Sequence, residues 1–269
     1  MYRMIWFTLG LLCLVGTAIA QPLNDIVDRT ILEQKPPLDY QPVTERDILW
    51  EKRVWRVLDV REKINLPFYH PTENLYDHLK SAGLQNELTL YSPEDDQFTT
   101  PLTPADLQEI FYRRDTLLII DPEFTYGEDV RVIDNDIFYE DVKKYRIQEV
   151  WFFNTITSTM EVRILGIAPL LSHYDENGNF LYEAPMFWVH YPSAREYLAD
   201  LQVFNEGNQS SRVTYEDLFE NRQFNSHIYK EANVRDYRLQ DMYTGVDLLL
   251  EAQKVEQEIQ NYEHDLWSY

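Results

Sequence analysis

The spacing of histidines and carboxylates limits the chemistry that this chain could perform. Six histidines are scattered singly, and none has a second histidine at the spacing of a metal-binding pair. They are His70, His78, His173, His190, His227 and His264. The GxSxG, HExxH, Walker and GxGxxG motifs of nucleophilic, zinc, phosphate and dinucleotide sites are absent from the sequence. We therefore predict no catalytic residues, no metal site and no cofactor.

Two acidic stretches resemble calcium loops only in part. In residues 134–139 aromatic residues replace the third oxygen ligand and the turn glycine, and in residues 175–179 the glycine comes too early. We predict a cap at the first stretch and a turn at the second. The carboxylate pair of a glycoside hydrolase is defined only in the fold. A periplasmic carbohydrate-active or peptidoglycan-acting enzyme therefore stays as the alternative function.

The charge balance excludes several classes of partner. The 269 residues include 46 acidic and 24 basic side chains, a formal net charge of −22. Such a chain repels nucleic acid and anionic lipid, so a partner surface should be basic or apolar. Aromatic residues make up 14% of the chain, which is enough to build a substantial core.

The first twenty residues have the features of a signal peptide. Arg3 precedes an uncharged run that ends on Ala18-Ile19-Ala20, and the run is shorter than the about 20 residues of a membrane span. We predict cleavage before Gln21. Cys13, the single cysteine, follows Leu12, where a lipoprotein signal needs a small residue. We therefore expect an exported protein without a lipid anchor or a disulfide.

The remaining chain divides into an arm and one domain. Residues 21–43 are polar, and Pro36, Pro37 and Pro42 break any periodicity, which predicts an extended arm or linker lying outside the core. Residues 44–269 predict a single α+β domain, with a central antiparallel sheet arranged as a meander, flanking helices and a long C-terminal amphipathic helix. The predicted strands are 115–121, 145–153, 160–167, 180–182 and 186–191, with a hairpin at 154–159 and a tight turn at Asn177-Gly178.

A capping-box pattern of Thr44 and Asp47 predicts a helix over residues 48–58. Lys52, Arg53 and Arg56 would form a basic face on this helix, with Arg61 and Lys63 beyond it. That face is either solvated or a docking surface for an acidic neighbour.

Further helix signals follow along the chain. The predicted helices are one capped by Thr72 and ending at Gly83, one starting at Thr103-Pro104 with Asp106, one over 193–203, and one capped by Thr214 with Asp217.

The C-terminal segment has the clearest helical pattern. Apolar residues recur at spacings of three and four, at Leu248, Ala252, Val255, Ile259, Tyr262 and Leu266. This seam is too short for a free-standing coiled coil, so it packs either on its own domain or on a partner. With the basic face, Leu248, Val255, Ile259, Tyr262 and Leu266 are the candidate partner contacts.

Five blocks of sequence resemble the GldN/PorN family of gliding-motility and type IX secretion proteins. They occur in the family's order, and the likeness extends from Thr44 to Tyr269. The blocks are 53–67, 161–170, 187–192, 226–233 and 264–267.

The resemblance implies a non-enzymatic periplasmic structural subunit. Proteins of this family form a ring with an outer-membrane lipoprotein, GldK/PorK, and a periplasm-spanning protein, GldM/PorM, is the expected source of energy coupling. Attachment to the membrane would then depend on partners. The other functions that we consider are the enzyme above and a soluble ligand-binding protein, which would stay monomeric even with the lipoprotein present.

Overall fold

The described part of this computed structural model comprises residues 36–120, 128–175, 177–208 and 211–267. The predicted signal peptide, with Cys13 and the cleavage point, lies outside the described residues. So does the predicted arm up to residue 35. The strands and helices below belong to the described part of the chain.

Eleven β-strands are formed by the described residues. In chain order they are β1 Ile48–Asp59, β2 Leu90–Tyr91, β3 Tyr112–Ile120, β4 Glu128–Asp136, β5 Val142–Asn154, β6 Thr159–Tyr174, β7 Phe180–Pro185, β8 Trp188–His190, β9 Gln202–Val203, β10 Val213–Thr214 and β11 His227–Glu231. Seven of them make one antiparallel sheet in the order β11-β1-β5-β6-β8-β2, with β7 also paired to β6.

The α+β class and the antiparallel sheet are confirmed. The meander holds from β5 to β7, which are neighbours in chain order, and β8 then returns to pair with β6. The hairpin between β5 and β6 closes where predicted, with Asn154 opposite Thr159. Gly178 has a φ of 79° in the turn before β7, which a glycine adopts without steric cost. β3 and β4 form a separate two-stranded sheet, which contains the strand predicted at 115–121 as far as Ile120.

The helix predicted over residues 48–58 is wrong, because this segment is strand β1. The capping box of Thr44 and Asp47 does form, but it starts a single 3-10 turn, Glu45–Asp47, and the strand follows at once. β1 pairs with β5 along its length and with β11 over residues 54–57, so strand pairing satisfies its backbone groups on both sides over those four residues. Its β-branched and aromatic residues suit this position, and tertiary pairing overrides the local helix signal.

Six α-helices accompany the sheet. They are α1 Leu75–Leu84, α2 Pro104–Phe111, α3 Tyr191–Asp200, α4 Tyr215–Glu220, α5 Leu239–Met242 and α6 Val246–Trp267. The capping boxes predicted at Thr103 and Thr214 are confirmed. The cap predicted at Thr72 is wrong, since the side chain of Asn74 accepts the first-turn hydrogen bond of α1 from the Asp77 amide at 2.8 Å. The helix predicted over 193–203 begins earlier and ends at Asp200, with β9 after it.

Two apolar clusters lie against the sheet and position the helices. The larger one joins four helices, α1, α2, α3 and α4, to the central strands. Its members include Tyr76, Phe111, Leu198 and Phe219. The smaller one joins α5 and α6 to β1 and β11. The C-terminal helix is therefore part of the domain, held by a cluster of its own.

Candidate interaction surfaces

The position of β1 decides where the predicted basic face goes. Successive side chains of a strand point to opposite faces of the sheet. Lys52 and Arg56 share one face with Val54, which packs against α6, whereas Arg53 points to the other face and is exposed. The three basic residues therefore do not form one continuous patch.

Lys52 and Arg56 find acidic partners within the chain. Lys52 Nζ lies 2.7 Å from Glu231 Oε2 and 3.5 Å from Glu258 Oε2. Arg56 lies 2.9 Å from Glu256 Oε1 through one terminal nitrogen, and its Nε donates to Ser226 Oγ at 2.8 Å. Two glutamates of α6 thus pair with two cations of β1.

These pairs differ in energetic weight. Arg56 is 5% exposed, so removing it would also remove the packing of its aliphatic stem. Glu258 is half exposed, and its pair with Lys52 is screened by solvent, which limits it to about 0–1 kcal/mol. Arg56 is therefore the main polar link between β1 and α6.

The seam of α6 faces the chain's own sheet. Val255 and Ile259 are each 2% exposed and pack with Val54 and Ile228. Leu248 and Leu266 are half-buried. The ring of Tyr262 stacks on that of Trp50, with centroids 4.6 Å apart. Of the two alternatives for this helix, packing on its own domain is the one that the structure adopts.

The described end of the arm is attached to the domain. Residues 36–43 form no helix or strand, and their path runs along a cleft of about 460 Å³. The ring of Tyr40 is sandwiched between the guanidinium groups of Arg163 and Arg195, at 3.8 and 3.9 Å from the ring centroid. Its hydroxyl donates to Glu220. Residues 36–43 are exposed or partly exposed, and Tyr40 attaches this part of the arm to the domain.

The groups around Tyr40 are themselves fixed. Arg195 donates to Glu216 Oε1 at 2.7 Å and to the Leu38 carbonyl at 2.9 Å, and it is buried. Burial, reinforced by the neighbouring Glu220, raises the pKa of the Tyr40 phenol well above its usual range. We call this arrangement of Tyr40, Arg163, Arg195 and Glu220 the tyrosine clamp.

Burial also shifts the pKa values of two histidines outside the tyrosine clamp. Burial lowers the pKa of His78 and of His190, and His190 Nδ1 lies 2.7 Å from Ser193 Oγ. Asp175 accepts hydrogen bonds from the backbone amides of Asn177 and Asn179, which confirms the turn predicted there. Within the described ranges, no group of three or more His, Cys, Asp or Glu residues is arranged to hold a metal ion.

A comparison with known protein families identifies the family of this chain. Residues 43–268 match the family described as gliding motility associated protein GldN. The chain belongs to the GldN family. No curated protein matches the chain.

Membership of the GldN family gives the coarse function. This GldN-family chain is a component of the gliding-motility and type IX secretion machinery, and it acts together with other components of that machinery. The family is a structural component and is not known as an enzyme. In the part of the chain that the structure describes, no helix has the length and apolar character needed to cross a membrane.

Two exposed apolar regions of this GldN-family protein were missed from the sequence. The first is the hairpin of β6 and β7, where Tyr174, Phe180, Leu181 and Tyr182 are each more than half exposed. The second is the start of α6, where Val246, Leu249 and Leu250 are exposed. The run of three leucines at 248–250 was a signal for the second region, because only the first of the three belongs to the buried seam.

Proposed function

We propose that this protein is a non-enzymatic structural subunit of the type IX secretion and gliding-motility machinery that works in the periplasm. In this proposal it forms a ring with a GldK/PorK-like outer-membrane lipoprotein. It also contacts a GldM/PorM-like protein that spans the periplasm. The observation that carries the proposal is the family match, which extends over residues 43–268 and so takes in the whole sheet and all six helices.

The surface properties support an assembly role. Large exposed apolar side chains occur in groups on the β6–β7 hairpin and on α6, and such groups are typical of surfaces that bind other proteins. The net charge of −22 opposes direct contact with anionic lipid or nucleic acid. Association with the outer membrane would therefore be made through the lipoprotein.

Co-expression with the lipoprotein tests this proposal. We expect the two proteins to co-purify and to form closed rings that are visible by electron microscopy. Separate monomers of both proteins would contradict the proposal. Incubation of the purified protein with cell-wall fragments provides a second measurement, since release of sugars or peptides would favour the enzymatic alternative.

The three basic residues of β1 are candidate contacts in this proposal. Lys52, Arg53 and Arg56 would serve an acidic neighbour, and Arg53 is the one of the three that is free to do so without losing an internal ion pair. Arg53→Glu should reduce co-purification with the lipoprotein while leaving thermal stability unchanged. Equal yields of complex from the variant and the parent protein would remove Arg53 from the interface.

The seam residues of α6 could contact a partner only after a conformational change. Leu248, Val255, Ile259, Tyr262 and Leu266 pack on the chain's own sheet or lie half-buried beside it, so an intermolecular contact requires α6 to leave that sheet. Val255→Asp with Ile259→Asp should abolish ring assembly. Circular dichroism of the monomer distinguishes loss of the interface from loss of the fold.

A further inference from the structure

Helix α6 has a second stripe of residues on the side opposite its buried seam. With 3.6 residues per turn, positions spaced by three and four share one face, and this stripe is offset by two residues from the seam at its start. All its members are exposed, and none is Asp, Glu, Lys or Arg. The outer face of α6, as we call it, comprises Val246, Leu249, Leu250, Gln253, Gln257, Gln260, Asn261 and His264.

The outer face is apolar in its first half. Val246 is 70% exposed, Leu249 62% and Leu250 57%, and Met242, at the end of the preceding helix α5, is 50% exposed. The second half presents glutamines, an asparagine and a histidine. A helix with an uncharged stripe of this kind, apolar at one end, is suited to lie against another helix.

Charges along the edges of this face limit what can bind to it. Asp247, Glu251 and Glu258 follow one edge together with Lys254, and Glu256 follows the other. Over the whole helix there are six acidic residues and one lysine. Glu251 pairs with this lysine, Glu256 with Arg56 and Glu258 with Lys52, and six carboxylates against these three cations still leave an excess of three negative charges. Two copies of this helix would therefore bring like charges together, whereas a helix with basic edges would find complementary ones.

We propose that the outer face of α6 docks an amphipathic helix of a partner protein whose apolar stripe is bordered by Lys and Arg. Docking leaves the buried seam and the Arg56–Glu256 pair in place, because the seam faces the sheet and Glu256 lies at the edge of the outer face, within contact of Arg56. The inference deepens the proposed function, since it supplies a surface for one of the assembly's partners.

Two synthetic peptides test the proposal on the full chain. Both carry the same stripe of leucine and glutamine, one with lysine at its edges and the other with glutamate. Binding is measured by fluorescence anisotropy at physiological ionic strength, where distant charges are largely screened. We expect only the lysine-edged peptide to bind, and the double variant Leu249→Asp, Leu250→Asp to weaken that binding by at least about tenfold.

A matched control separates the outer face from general attraction to an acidic protein. Leu181→Asp changes an exposed leucine of β7 and adds one negative charge, as the single variant Leu250→Asp does on the outer face. Leu250→Asp should weaken binding, and Leu181→Asp should leave it unchanged. Equal weakening by Leu181→Asp, binding that survives the double variant, or no binding of the lysine-edged peptide would each overturn the proposal. If the protein alone self-associates and the double variant abolishes this, the face belongs to a second copy and the partner helix is rejected.

The variants should fold, because both leucines are exposed and acidic residues are favoured near a helix N-terminus. Circular dichroism checks this. Leu249→Gln with Leu250→Gln gives a second variant, which keeps helix propensity and the charge of the protein while it removes the apolar surface. It should also weaken binding. Because the lipoprotein is absent from this measurement, failure of the peptide experiment and failure of ring formation can be told apart.

Discussion

Arg56 differs from its basic neighbours because it is buried and makes hydrogen bonds within the domain. Its guanidinium joins β1 to Glu256 of α6 and to Ser226 before β11, while Arg53 in the same strand is exposed. Glu256 is 44% exposed in its side chain, so it would be rehydrated if Arg56 were removed. The cost of losing Arg56 is therefore smaller than the cost of breaking a fully buried pair.

Truncation of Arg56 should be measurable and specific. Arg56→Ala removes three hydrogen bonds, two to Ser226 and one to Glu256, and the packing of the stem, and we expect a loss of about 1–2 kcal/mol in the free energy of unfolding. Urea denaturation followed by tryptophan fluorescence provides the measurement. Arg53→Ala is the matched control, with an expected change within about 0.5 kcal/mol. Similar losses in both variants would refute the distinction between the two arginines.

The surroundings of His190 predict a pH dependence of stability. Burial holds the pKa of His190 below its usual value of about 6.5, so the unfolded chain binds a proton more readily than the folded one. The free energy of unfolding should therefore fall as the pH drops below about 6.5 and continue to fall through the lower pKa of the folded state.

A comparison with His190→Asn isolates this contribution. The asparagine keeps a polar group near Ser193 and does not titrate, so the stability difference between parent and variant should shrink as the pH falls from about 7.5 to about 5.5. Urea denaturation at several pH values measures it. Parallel curves for the two proteins would show that His190 makes no contribution to the pH dependence.

At the scale of single elements, α6 depends on its buried seam. Ile259 is 2% exposed and lies in the cluster that holds α6 on β1 and β11. Ile259→Ala should lower the free energy of unfolding by about 2–4 kcal/mol, from lost burial and from the cavity that remains. Leu250→Ala, on the exposed side of the same helix, should change it by less than about 0.5 kcal/mol. Thermal denaturation followed by circular dichroism tests both, and equal losses would contradict the assignment of the two faces.

Sequence patterns predicted those elements whose signals are local. The capping boxes at Thr103 and Thr214 each involve residues three positions apart, and the hairpin closed by Asn154 and Thr159 involves one connection. The helix predicted over residues 48–58 was wrong because pairing with two distant strands, β5 and β11, determines the conformation of this segment. No pattern within a short window contains that information.

The candidate surfaces also differ in whether local sequence patterns or contacts between distant residues define them. Spacing was sufficient to find the seam from Leu248 to Leu266, but not to decide what covers it, because Val54 and Ile228 lie far away in sequence. The outer face of α6 required knowledge of exposure as well as spacing. The tyrosine clamp required the fold, since Tyr40, Arg163 and Arg195 share no sequence pattern.

At the scale of the whole molecule, excess negative charge opposes the compact state. With 46 acidic and 24 basic residues, long-range repulsion involves far more charges than the ion pairs do, and it is also the part that salt screens most effectively. Pairs between buried groups, such as Arg195 and Glu216, are screened less. Repulsion should therefore dominate the response of stability to salt.

Added salt should stabilise the monomer. Raising NaCl from about 10 mM to about 0.15 M shortens the screening length from roughly 30 to 8 Å. We expect the melting temperature to rise by at least about 2 °C, which corresponds to ~1 kcal/mol for a domain of this size. Choline chloride at the same ionic strength should give the same rise, because screening does not depend on the identity of the ion. A fall in melting temperature would mean that the ion pairs outweigh the repulsion.

The tyrosine clamp has a mechanical consequence for a protein of a moving machine. A pull on the arm at residue 36 first meets the Leu38 carbonyl, which accepts from Arg195, and then Tyr40, which is held by Arg163 of β6, Arg195 of α3 and Glu220 of α4. The load is thus divided among a strand and two helices before it reaches Thr44 and the start of β1. Tension on the arm would therefore load these side-chain contacts before it loaded any backbone pairing of β1, which begins at Ile48.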